Sequence, residues 1–282
     1  MDGPDLIART LSWPAVDDKF GNRWQYHPRS DRHSKVACWA VLFDTLQRSA
    51  LLRRHVTEGT VVFGINQTMR DYRTNRTKDL DLVLARPAGA VRPTATTLTD
   101  LAIRYSVRLT DTQQDTLRQL PVVRLAPAGS VLVALEAKAC MTAHIKALPR
   151  LFDELTSSYS TVHGESNQAL AVGFVMINAG EWFLSPDLNR RNLTTEPPVV
   201  SVHVQPTWAR RALEKVTELR RRPNPNEEGF DALGVVMVDM RNDGTPVSIV
   251  AGPPAPADDD VYSYNRMIGR LVQSYDVTFA QL

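Results

Sequence analysis

Two textures of apolar sequence alternate along the chain. "SVLVALEAKA" (Ser130–Ala139) and "ALAVGFVMIN" (Ala169–Asn178) are nearly unbroken apolar runs, the pattern of strands covered on both faces. "GTVVFGI" (Gly59–Ile65) predicts another strand, and "TKDLDLVLARP" predicts one that begins near Lys78 and stops before Pro87. "PVVRLA" predicts a short strand, and "ALGVVMVDMRNDGTPVSIVAG" two strands joined by a turn at Asn242-Asp243-Gly244.

Between these runs the period changes to that of helices. From Lys35 to Arg54, Val36, Trp39, Ala40, Phe43 and Leu46 share a face. Ala37, Cys38, Val41 and Leu42 are apolar too, so the first half is expected to be buried on most sides, with Asp31 or Ser34 as its cap. Helices are predicted at Thr96–Val107 and Thr110–Leu120. After the Ser130–Ala139 run, Met141, Ile145, Leu148, Phe152 and Leu155 form one helical stripe, which Pro149 is expected to kink or restart. Ala209, Ala212, Leu213, Val216 and Leu219 face inward on a helix ended by Pro223 and Pro225, and a last helix spans Asp259–Tyr275. Residues 1–30 are mixed and turn-rich.

Strands that alternate with helices predict an α/β (α+β) fold: a central mixed β-sheet flanked by helices. One domain is expected over residues 1–282, with a core at 35–178, a helical insert at 87–130 and a C-terminal extension at 179–282. Composition agrees with a globular chain, 43% hydrophobic and 23% charged over 282 residues. The net charge of +2 means that any nucleic-acid surface must be local rather than global. Two cysteines, Cys38 and Cys140, in apolar surroundings argue against a disulfide framework or a zinc site. No apolar segment suits a signal peptide or a membrane span, so the cytoplasm is the expected compartment. A P-loop and a Gly-x-Ser-x-Gly elbow are both missing, which disfavours ATP hydrolysis and α/β-hydrolase chemistry.

Chemistry concentrates where charge interrupts the apolar runs. Glu136 and Lys138 lie two apart in a strand, so they project from one face. Asp81 opens the apolar run "DLVLA", and Asp79 shares its parity. Carboxylates on neighbouring strands suit a Mg²⁺ ion, and a nearby lysine suits a phosphate and its attacking water. "LDLVL" followed by "LEAKA" resembles the PD-(D/E)XK nuclease superfamily, the restriction-endonuclease-like fold. The resemblance implies Asp81 and Glu136 as catalytic metal ligands, Lys138 as the catalytic lysine, Mg²⁺ (with Mn²⁺ as a substitute) as cofactor, DNA as substrate, and a homodimer. It also implies a helix-borne acid, for which Asp44 and Glu58 are candidates, with Asp79 as a further metal ligand. Lys78, Arg76 and Arg73 form a basic loop expected to contact phosphates.

The expected activity is Mg²⁺-dependent endonucleolytic cleavage of DNA in a restriction or phage-defence role. The alternatives are a repair or recombination nuclease of the same fold, an inactive nucleic-acid-binding relative, and an unrelated α/β protein in which Glu136 and Lys138 form a strand-end ion pair.

Overall fold

The computed structural model describes residues 2–282 and gives an α/β fold built on a six-stranded mixed sheet. The elements are α1 (Gly3–Leu11), β1 (Val16–Asp17), β2 (Arg23–Trp24), α2 (Arg32–Arg48), α3 (Ala50–Thr57), β3 (Val62–Asp71), β4 (Arg76–Pro87), α4 (Leu98–Arg104), α5 (Asp111–Gln119), β5 (Ala128–Cys140), α6 (His144–Glu165), β6 (Leu170–Asn178), β7 (Trp182–Phe183), β8 (Ser201–Val202), α7 (Thr207–Thr217), β9 (Ala232–Asp239), β10 (Ser248–Ile249) and α8 (Tyr264–Thr278). The sheet order is β10-β9-β6-β5-β4-β3. Strands β3, β4 and β5 pair antiparallel, β5, β6 and β9 pair parallel, and β10 returns antiparallel on β9. Each parallel step is bridged by a helix, α6 and then α7, as parallel strands require.

Two hydrophobic cores follow from strand alternation. Leu82, Leu84, Leu135 and Val172 face α1, α2 and α8, while Val83, Ala85, Ala134 and Val175 face α6 and α7. Every residue of β6 is buried, as its unbroken apolar run requires. Burying a side chain such as Phe174 contributes roughly 1.5–3 kcal/mol, and β6 supplies such residues to both cores.

Several expectations are corrected. The Lys35–Arg54 helix is two helices, because the extended backbone of Ser49 breaks it and the Ser49 hydroxyl accepts from Leu52 N to start α3. Helix α6 runs unbroken through Pro149 and begins after Met141; its buried stripe is His144, Leu151, Leu155, Tyr159 and Val162, while Ile145 is exposed. "PVVRLA" forms isolated bridges rather than a strand. The turn-rich N-terminus contains α1, which packs on α2. The C-terminal segment is no appendage, since β9 is an inner strand of the sheet and α8 covers its face. Among the described residues, no helix is long and apolar enough to cross a membrane.

Candidate active site

The site forms where the sheet opens. Strand β4 pairs with β5 as far as Leu82↔Leu135 and then leaves it, while continuing beside β3 to Arg76↔Asp71. The amide of Ala137 would otherwise lack a partner on that side. Instead it donates to Asp81 Oδ2 at 3.0 Å. Asp81 therefore bridges the gap with its side chain and is fixed by the strand divergence itself.

Helix α2 supplies the other contacts of Asp81. Oδ1 accepts from Lys35 Nζ at 2.6 Å and from Ser34 Oγ at 3.1 Å. Lys35 Nζ also donates to the backbone oxygen of Asp81 at 3.1 Å and to Asn66 Oδ1 at 2.6 Å. Burial opposes ionisation of Asp81, but the Lys35 ammonium and the Ala137 amide outweigh it and hold the carboxyl below its ordinary range.

Glu136 and Lys138 project from β5 toward α6. Lys138 Nζ lies 2.8 Å from Glu136 Oε1 and 3.0 Å from Glu154 Oε2 on α6. Lys78 Nζ lies 3.7 Å from the same Glu136 oxygen and donates to the backbone oxygen of Glu154 at 2.7 Å. Arg150 Nε donates to Glu154 Oε1 at 2.6 Å. The second oxygen of Glu136, Oε2, is buried and meets no donor among the described residues. Burial raises the Glu136 carboxyl above its ordinary range, with Lys138 opposing and Asp81 adding to the rise. Burial also opposes the charge on Lys138, but the two carboxylates more than compensate and raise its pKa. Asp81, Lys138, His33, Lys146 and Arg150 line a cleft of about 720 Å³ between α2, the start of α6 and the segment 183–187.

The sequence-derived candidates divide. Asp81, Glu136, Lys138 and Lys78 belong to one connected neighbourhood. Lys78 sits inside it rather than on a solvent-facing loop. Asp44 is elsewhere: it is buried and accepts from Gly3 N at 3.0 Å, so it anchors the start of α1. Nine residues of helix separate it from Lys35, about 14 Å along the axis. Asp79 is exposed and accepts from Thr68 Oγ1 across the β3–β4 pair. Glu58 ends α3 and pairs with Arg54 at 3.8 Å. Arg73 is held by Asp71, Glu228 and the Ser160 backbone oxygen, which fastens the β3–β4 hairpin to α6. Arg76 remains exposed on the hairpin.

Sequence reasoning missed Ser34, Lys35, Asn66 and Glu154. One signal for Lys35 was present. An ammonium in a helix otherwise buried on most sides needs a partner. Among the described residues, no three His, Cys, Asp or Glu side chains are grouped to hold a metal ion. The carboxylates of the site number two on the strands and one, Glu154, on α6. No protein-family model matches the chain, and no curated protein matches it.

Proposed function

We propose that this protein is a Mg²⁺-dependent DNA endonuclease of the PD-(D/E)XK type, with Asp81, Glu136 and Lys138 as catalytic residues. The observation that carries the reading is the buried Glu136 Oε2, which meets no donor among the described residues and lies two residues from Lys138, itself lining a cleft with Asp81. An unpaired buried carboxylate oxygen is costly, and a cation from solution removes that cost. Asp81 Oδ2 accepts one hydrogen bond and keeps a second lone pair. Asp81 Oδ2 and Glu136 Oε2 are the oxygens that would hold a hard cation, which takes carboxylate oxygens and retains several waters. When bound, Mg²⁺ supplies a water of lowered pKa and stabilises charge on the phosphate; Mn²⁺ is expected to substitute.

The chain's own residues do the rest. Glu136 and Glu154 hold the Lys138 ammonium at the cleft, where it donates to the attacking water or to a phosphate oxygen. Lys146 and Arg150 on α6 offer positive charge to the nucleic-acid backbone in place of Arg73, which is tied to the hairpin. A homodimer would cut both strands with two such sites, in keeping with a restriction or defence role.

The test is plasmid and oligonucleotide cleavage with Mg²⁺, beside EDTA and the Asp81→Asn and Lys138→Met variants. Metal-dependent cutting lost in both variants supports the reading. A second reading has its own observation: Lys138 and Glu136 at 2.8 Å form a strand-end ion pair, whose Oε1 is already occupied without any ligand. Under that reading neither metal nor DNA binds.

A further inference from the structure

We propose that Lys35 is a built-in competitor of the metal ion for Asp81, a positioning residue that sets how tightly the site loads its cation. The inference rests on the metal-dependent reading above.

The geometry of Lys35 is that of a coordinated ion. Its side chain is 2% exposed. Its three N–H donors have three acceptors: Asn66 Oδ1, Asp81 Oδ1 and the Asp81 backbone oxygen. Asn66 adopts φ +49°, a left-handed conformation that asparagine tolerates better than most residues. Two strands and a helix thus converge on one ammonium, and one of its partners is a carboxylate proposed to hold the metal.

Charge balance points the same way. Three carboxylates (Asp81, Glu136 and Glu154) face three ammonium groups (Lys35, Lys78 and Lys138), and Arg150 adds a guanidinium on Glu154. The site is therefore compensated before any metal arrives, so a divalent ion enters surroundings that are already neutral or positive. Lys138 and Lys78 share Glu136 Oε1 and leave Oε2 open. Lys35 is the ammonium that sits on Asp81. A neighbouring charge changes a carboxylate's affinity for a proton by roughly ten- to a thousandfold, and a divalent ion feels that charge at least as strongly. With Lys35 in place, the site needs a higher free metal concentration than two unshared carboxylates would.

The test measures metal binding, not cleavage. Full-length protein without DNA is titrated with Mn²⁺, and free Mn²⁺ is followed by electron paramagnetic resonance. Lys35→Met removes the charge. Lys35→Gln removes it but can still donate a hydrogen bond to Asp81, which protects folding. Lys35→Arg keeps the charge. The expected result is Mn²⁺ binding at least about tenfold tighter in the Met and Gln variants than in wild type, with a larger Mn²⁺-induced rise in Tm, and wild-type affinity in the Arg variant. Folded Met or Gln variants that bind Mn²⁺ no more tightly than wild type would overturn the role of Lys35 while leaving the metal site intact. Failure of wild type and every variant to bind Mn²⁺ would overturn the metal-dependent reading, and this inference with it.

Discussion

Asn178 and Glu136 are buried polar residues toward the C-terminal ends of adjacent parallel strands, and they have opposite economies of hydrogen bonding. The Asn178 amide is complete: Nδ2 donates to the Met141 and Met240 oxygens, and Oδ1 accepts from Gly180 N and Met240 N. It ties β6 to the start of α6 and to the end of β9, and nothing is left over for a ligand. Glu136 has one oxygen shared by two lysines and one with no donor. A satisfied buried group specifies architecture, while a partly satisfied one is unstable unless something binds it.

The comparison is broken most forcefully by substituting each side. Glu136→Gln should lower Mg²⁺-dependent cleavage by on the order of a hundred- to a thousandfold. It should cost less stability than removing one partner of a buried pair usually does, because Lys138 keeps Glu154 and Lys78 keeps the Glu154 backbone oxygen. Asn178→Ala should do the reverse. Four backbone groups lose their partner, so urea denaturation should show a loss of about 2–4 kcal/mol. Its folded fraction should keep near-normal metal affinity. A stability loss in the glutamine variant as large as that of Asn178→Ala would erase the distinction.

A smaller effect is expected from pH. Burial lowers His33 and His144 to about 4, and His55 and His203 move in the same direction. A depressed folded pKa means that the unfolded chain binds more protons, so stability is present above the unfolded value of about 6.5 and is lost as pH falls toward the folded one. The histidines should therefore lower denaturation midpoints between pH 7 and pH 5, against the opposite pull of the raised Glu136, Asp44 and Asp231 carboxyls, and a drop no smaller in a His144→Gln variant would contradict the assignment. Asp81, also depressed, adds its loss only below about pH 4. The smallest effect belongs to Arg73. Arg73→Ala should cost at most about 1 kcal/mol, since its guanidinium is half exposed. DNA binding should be nearly unchanged, whereas Lys146→Ala should weaken it and reduce its salt dependence.

Much of the sheet was legible because burial on two faces writes itself as an unbroken apolar run. The cores of β5 and β6 were legible for that reason, and Glu136 and Lys138 stood out as interruptions of one such run. Asp81 stands out in the sequence through the run that it opens. What could not be read is what tertiary packing decides. Nothing local shows that β9 joins β6 as an inner strand, or that β4 leaves β5 beyond Leu82. Helix α1 was hidden because Asp2, Gly3 and Pro4 look like a turn, and its start is fixed by the distant Asp44. That contact is also why Asp44, a reasonable helix-borne acid by position, is absent from the site. Lys35 takes a place where an acid was expected, and its partner lies 46 residues away.

The most direct measurement is a crystal grown or soaked with Mn²⁺ and examined by anomalous diffraction. The account predicts a single anomalous peak per chain, held by the Asp81 and Glu136 carboxylates, with Lys138 still against Glu136. A saturating soak that leaves both carboxylates free of metal, with Lys35 and Lys138 still paired to them, would contradict it.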